Sequence, residues 1–277
     1  MSTHSDAFSS PVRVAIAGLG AIGQSLAQSL AHGKVPGVEL VAVSAKNHDK
    51  AQTFVQTLAH SVPVLRIEEL EPIADLVVEC APAALLSEIV TPFVKSGKKA
   101  IVLSVGALLF NEHLRNVARE HGGTIMVPTG ALLGLDAVIA AAEGDIHEVR
   151  MVTRKPPAGL KGAPHLVEHN ISVDNLSEPL KVFEGNARDA AKGFPANLNV
   201  VVALALAGVG PENTMLEIWA DPTVTRNTHT IHLDSDSARL TMTIENIPSD
   251  NPKTGRIVAQ SVVAMLRKMQ GSLRVGT

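Results

Sequence analysis

From Val12 to Gly130 short apolar runs alternate with stretches of helical length, and that rhythm leaves few folds open. VRVAIAG, VELVAVS, DLVVECA, KAIVLSV and TIMVPTG read as strands, with VPVLRI as a weaker one after the second. The first helical pattern places Ile22, Leu26, Ala27 and Leu30 on one face; KAQTFVQTLA, PAALLSEIVTPFVKSG and NEHLRNVAREHG continue the series. Apolar strands joined by crossovers of this length belong to a parallel sheet covered by helices on both faces.

The rhythm changes after about Leu132. An alanine-rich helix, GLDAVIAAAEG, precedes strands whose polarity alternates: IHEVRMVTRKP, PLKVFEG, TMLEIWA, NTHTIHLDSD and ARLTMTIEN. An apolar helix, PANLNVVVALALAG, opens with Pro195 between the second and third of these. Alternation with one polar face predicts an open mixed or antiparallel sheet with helices on one side. The segment KTGRIVAQSVVAMLRKM is amphipathic, with Ile257, Ser261, Ala264, Leu266 and Met269 near one stripe, and is expected to return to the first domain. The expected class is therefore α/β: a Rossmann-type parallel-sheet domain over 1–131 with 250–277, and an α+β domain over 132–249. Residues 1–11 read as a flexible polar tail.

Composition narrows the chemistry. The 277 residues are 45% hydrophobic and 18% charged, enough to bury a sizeable core and too apolar for disorder. A net charge of -3 carries no basic surplus for nucleic acid, and 3% aromatics without tyrosine make base-stacking platforms improbable. One cysteine excludes an intrachain disulfide framework and a zinc site of several thiolates. His165 and His169 stand at i, i+4 but lack a third ligand, so no metal is expected. The uncharged runs Val14–Gly33 and Gly193–Pro211 are interrupted and fall short of the roughly 20 apolar residues that cross a bilayer. MSTHSDAFSSP has no basic stretch followed by an apolar one. Cytoplasm, without membrane or nucleic-acid partners, is the expectation.

The first strand runs into G-L-G-A-I-G, which opens a helix. Gly18 permits the tight turn, Gly20 lets backbone approach a pyrophosphate and Gly23 lets helix and strand pack closely; Ala21 and Ile22 supply the first helical turn. Free N–H groups at a helix start then meet the phosphates. A dinucleotide site follows from this context. The second strand ends Ser44-Ala45-Lys46, where an acid for the ribose hydroxyls would mark a strict NAD enzyme. Ser44 and Lys46 tolerate a 2′-phosphate, although Lys46 reads equally well as a solvated loop charge; the coenzyme is NAD or NADP. Other strand ends carry small residues suited to a flat ring: Cys80-Ala81, Ser104-Val105-Gly106 and Thr129-Gly130-Ala131. Cys80 has no activating base nearby in sequence, which favours a lining role over a nucleophilic one.

Two polar segments mark the reacting end. TRKPPAGLKGAP sets Arg154, Lys155 and Lys161 in a Pro/Gly loop with no acid nearby, suiting either an anionic small molecule or plain solvation. In NTHTIHL, strand alternation puts Asn227 and His229 on the apolar face and His232 on the opposite one. A desolvated histidine is a natural proton carrier near pH 7, and equally a common structural residue.

GLGAIG, SVGAL, VPTGALLGLDA, TRKPPAGLKGAP, FPANLNV and DP…RNTHTI together resemble the L-aspartate dehydrogenase family, over nearly the whole chain from Val12. The resemblance implies a homodimer that oxidises L-aspartate with NAD or NADP to iminoaspartate, which feeds quinolinate synthesis or hydrolyses to oxaloacetate and ammonia. It makes His229 the active-site histidine and places Ala131 and Asn197 on the coenzyme. Thr129, Arg154, Lys155, Lys161 and Asn227 become candidates for holding the substrate. Alternatives are another Rossmann reductase of similar layout, of the dihydrodipicolinate reductase or homoserine dehydrogenase type, and an NAD(P)-sensing protein without turnover.

Overall fold

Every position of Val12–Ala17 (β1) except Arg13 is apolar, and Val14 through Ala17 are fully buried, as a strand covered on both faces requires. The computed structural model describes residues 10–195, 198–247 and 255–276. β1 leads through the glycine turn into Ala21–Ala31 (α1), then Val38–Ser44 (β2) and His48–Val55 (α2). Asn47 caps α2 by accepting the Lys50 N–H. Leu76–Glu79 (β3), Leu86–Lys95 (α3), Lys99–Val102 (β4), His113–His121 (α4) and Thr124–Met126 (β5) complete a parallel sheet ordered β2-β1-β3-β4-β5. The strand order reverses at β1, and the crevice beside such a reversal is where open α/β sheets bind ligands.

VPVLRI does not become a strand of its own. It touches β2 through a single parallel bridge, Val43 to Val64. The Val43 N–H donates to Pro63 O and the Leu65 N–H donates back to Val43 O. Pro63 has no N–H to extend the ladder, and Arg66 already leads into a 3-10 turn at Ile67–Glu69.

The second sheet is mixed. Leu135–Ala141 (α5) precedes Ile146–Lys155 (β6), followed by Pro164–Glu168 (α6), Leu180–Asn186 (β7), Ala187–Gly193 (α7) and Asn199–Ala207 (α8). Thr214–Ala220 (β8), Asn227–Ser235 (β9) and Arg239–Asn246 (β10) follow, before Ile257–Gln270 (α9). The order is β10-β9-β6-β8-β7, with β6 and β8 parallel and the other neighbours antiparallel. Pro195 does not open the apolar helix as its N1 position; α8 begins at Asn199.

By their contacts the residues fall into two compact units. One holds the chain up to Ser104, with Asn111–Pro128 and Ala259–Arg274; the other holds Val105–Phe110, Thr129–Val258 and the residues from Val275. Within the first, Arg267 of α9 donates to Lys34 O at 2.8 Å. The buried face of α9 is set by Val258, Ala259, Ser261, Val262 and Leu266, whereas Ile257 and Ala264 are exposed. The buried face is thus rotated from the expected stripe, because a helix rich in Val and Ala carries more than one apolar face. Among the described residues no helix is long and apolar enough to cross a membrane.

Candidate active site

The glycine turn has the shape a pyrophosphate needs. Gly18 sits at φ +104°, and a Cβ there would lie 2.5 Å from Cys80 O. A Cβ on Gly23 would lie 2.0 Å from Gly18 O, so helix and turn meet backbone to backbone. Gly20 is different: a Cβ there meets nothing within 4 Å, and no side chain caps the first turn of α1. Open space in front of a helix start with free N–H groups fits a dinucleotide phosphate. The space belongs to a cleft of about 1010 Å³ lined in part by Gly18, Gly20, Ser44, Lys46, Cys80 and Ala81. Lys50 and Arg66 also line it, and sequence reasoning had not found them. Gly23 is buried behind the cleft, while Ala21 and Ile22 are half-buried in the first turn. Cys80 is half-buried, and desolvation with the neighbouring Glu79 charge pushes its thiol far up, which leaves it unreactive.

Ser104 is committed inward. Its hydroxyl donates to Glu79 Oε1 at 3.0 Å, and its N–H to Oε2 at 2.8 Å. Val105 is buried, and the Gly106 N–H donates to Asn199 Oδ1 at 3.0 Å. Ala131 O accepts from Nδ2 of the buried Asn246 at 3.0 Å, and Thr129 is exposed. Asn197 lies outside the described residues.

β6 and β9 assemble the polar cluster of the second unit. They pair antiparallel with Thr153 opposite His229, and alternation along β6 brings Lys155 to the same face. Thr153, Lys155 and His229 are 3%, 4% and 3% exposed. Nδ1 of His229 bonds the Thr153 hydroxyl at 3.0 Å, leaving Nε2 as the other ring nitrogen for proton transfer. Asn227 starts the same face of β9, half-buried and paired in register with Asn246. His232 points the other way and bonds the Thr241 hydroxyl.

Desolvation, with the Lys155 charge adding to it, pushes His229 from 6.5 down to about 3. The imidazole is therefore a neutral acceptor at physiological pH. Stability follows with a definite sign. Below pH 6.5 the unfolded chain gains a proton that the folded chain refuses until about pH 3. The contribution is whole above pH 6.5 and drains away as pH falls across that window. Between pH 7 and pH 5 the protein is expected to lose about 2 kcal/mol more than a His229→Asn variant. Urea unfolding at the two pH values measures the difference; equal losses would contradict a buried neutral ring.

The basic segment differs from the loop expected of it. Arg154 and Lys155 are the last two residues of β6, not part of a loop. Nor is an acid missing. Arg154 Nη1 donates to Asp221 Oδ2 at 2.9 Å, and its guanidinium lies 4.8 Å from the Trp219 ring centre, on the face opposite His229. Burial pushes Asp221 up, but bonds from Thr223 and Arg154 outweigh it and hold the carboxylate below its usual range. Lys161 pairs with Asp174, both well exposed. Arg154→Ala is accordingly expected to cost about 1–2 kcal/mol of stability by stranding the nearly buried Asp221, with little change in substrate KM. Thermal unfolding beside steady-state kinetics separates the two effects. His165 and His169 stack at 4.0 Å, and the His165 ring also meets Phe183 and Phe194. Among the described residues no group of three or more His, Cys, Asp or Glu could hold a metal ion.

Comparison with known proteins bears on the two units separately and together. Residues 136–269 match the family model "Aspartate dehydrogenase, C-terminal", and residues 18–128 match "Homoserine dehydrogenase, NAD binding domain". The chain is 61% identical over 264 residues to L-aspartate dehydrogenase 3 of Bordetella bronchiseptica, covering 95% of this chain and 97% of that one. It is 60% identical to the L-aspartate dehydrogenase of Bradyrhizobium diazoefficiens, covering 97% and 95%. Aspartate dehydrogenase from Thermotoga maritima has a similar structure: TM-score 0.75 at 25% identity, over 96% of this chain and 99% of that one. With relatives this similar along almost its whole length, the chain belongs to the L-aspartate dehydrogenase family.

Proposed function

We propose that the protein oxidises L-aspartate at Cα with NAD or NADP, giving iminoaspartate, the reduced coenzyme and a proton. The imine then feeds quinolinate synthesis or hydrolyses to oxaloacetate and ammonia. The observation that carries this reading is the buried trio Thr153, Lys155 and His229 on one sheet face, in a chain that is 61% identical to a named L-aspartate dehydrogenase. The nicotinamide, when bound, supplies the hydride acceptor. The protein's own residues do the rest. Lys155 holds a substrate carboxylate in a site where little water weakens the attraction. His229, neutral, takes the proton that the amine must lose for the C=N bond to form, or activates the water that hydrolyses the imine. Thr153 fixes the ring through Nδ1. Asn227 borders the same face and completes the substrate side.

On the coenzyme side, Gly18, Gly20 and Gly23 form the pyrophosphate turn, with Ala21 and Ile22 opening the helix behind it. Cys80, Ala81, Ser104, Val105 and Gly106 supply the small-residue path of the remainder, and the family resemblance adds Ala131 and Asn197 to the coenzyme's contacts. Ser44 replaces the usual acid at the end of β2, and Lys46, Lys50 and Arg66 stand around the cleft. That charge pattern supports use of NADP as well as NAD. The same reading includes a homodimer working in the cytoplasm. The direct test is coenzyme reduction driven by L-aspartate, run side by side with NAD and NADP. Reduction with a hydroxy acid or another amino acid in place of aspartate would overturn the substrate assignment.

A further inference from the structure

Glu79 closes β3 without any solvent exposure, and the chemistry above does not use it. Its carboxylate ties three pieces of backbone together. Oε1 accepts from the Ala81 N–H at 3.0 Å and from the Ser104 hydroxyl at 3.0 Å. Oε2 accepts from the N–H groups of Leu103 at 3.2 Å and Ser104 at 2.8 Å. Three of these four partners are backbone N–H groups, which can only donate, and they cover both oxygens. A carboxylic acid proton on Oε2 would face two N–H donors, and one on Oε1 could be accepted only by the Ser104 hydroxyl, which would then have to turn to Ala81 O, 3.3 Å away; three obligate donors therefore favour the anion. Burial lifts the carboxyl above its ordinary value, and the four bonds pull against that lift. Among the described residues, its bonding partners include no cationic side chain. The anion that these donors favour stands behind the turns that follow β3 and β4.

Those turns matter for the coenzyme. Ala81 and Pro82 line the cleft, and Gly18 presses against Cys80 O and Ala81 N. A dinucleotide in an open α/β sheet crosses the carboxyl ends of the strands at the order reversal, here between β1 and β3. A nicotinamide half continuing on the β4 side would pass over the strand ends whose groups Glu79 holds. An oxidised nicotinamide ring carries a positive charge and a reduced one does not.

We propose that Glu79 is a positioning residue whose carboxylate fixes the turns after β3 and β4 and whose negative charge, acting across them, favours the oxidised coenzyme over the reduced one. The proposal rests on coenzyme binding in this cleft. A merely structural staple would weaken both redox forms alike, so the ratio of their affinities is the decisive readout. In Glu79→Gln, Kd for NAD⁺ is expected to rise about tenfold relative to Kd for NADH, the size of one unit charge acting over roughly 10 Å. Glu79→Asp keeps the charge and loosens the staple; both affinities should fall while their ratio stays near the wild-type value. Calorimetric titration of each variant with NAD⁺ and NADH supplies the four constants without any turnover. An unchanged ratio in Glu79→Gln, or an equal shift in both variants, would overturn the proposal. If Glu79→Gln does not fold, the wild type decides alone: NAD⁺ bound at least as tightly as NADH supports the proposal, and NADH bound more tightly opposes it. Failure of the wild type to bind either form would remove the coenzyme reading as well, a distinguishable result.

Discussion

Replacing His229 by alanine is expected to lower kcat by about 10²–10⁴ while leaving coenzyme affinity close to that of the wild type. The size follows from the loss of a positioned proton acceptor, and the selectivity from location. His229 is carried by β9 in the second unit, whereas the glycine turn and the cleft lining belong to the first. The substitution also leaves the Thr153 hydroxyl and Lys155 in a wider, emptier site, so a rise in KM of a few-fold would accompany the kcat loss. Pre-steady-state reduction and coenzyme titration on the same variant distinguish these contributions. Turnover within about threefold of wild type would remove His229 from the proton transfer.

A second large effect comes from two glycines only three residues apart. In Gly23→Ala the new methyl would lie 2.0 Å from Gly18 O, a backbone atom that has nowhere to go. The expected cost is about 1–3 kcal/mol, with the unfolding temperature dropping roughly 2–4 °C per kcal/mol. Coenzyme binding suffers with it, because the turn must open to admit the methyl. In Gly20→Ala the methyl meets no protein atom within 4 Å, and the backbone at φ -72° accepts alanine without strain. Stability should hold there while coenzyme affinity falls, since the methyl projects into the space the pyrophosphate would take. Melting curves with and without NAD read both quantities. Equal stability loss in the two variants would show that Gly20 is packed rather than open.

The parallel sheet was legible in the sequence because doubly covered strands are written as near-continuous apolar runs, and β1, β2, β3 and β4 are, with Arg13 and Glu39 as single interruptions and Ser44, Glu79 and Lys99 at strand ends. VPVLRI was misread for the same reason. Its apolar residues look like a strand, and Pro63 within the run is the one local sign that pairing stops at a single bridge. Strand alternation placed His229 and His232 on opposite faces, and the burial of β9 follows that pattern. What alternation could not supply was partnership. Arg154 and Asp221 are 67 residues apart in sequence, as are Arg150 and Glu217, and such pairs exist only once the register of β6 and β8 is set. Glu79 left a fainter trace: one acid closing the apolar run DLVVE, at a position that parallel strands normally bury. Asn246 left none, as its bond to Ala131 spans 115 residues.

Because His229 faces Thr153 across two neighbouring interior strands, its placement is inherited from the backbone ladder and not from any loop. Sliding β9 by one residue would exchange the imidazole for a threonine hydroxyl, an all-or-none failure with no graded intermediate. The connections on either side, from Pro156 to Ala163 and from Pro222 to Arg226, lie outside that ladder. Insertions there can reshape what is admitted while the proton acceptor stays where the sheet puts it, so selectivity is free to drift among descendants of this scaffold long before reactivity does.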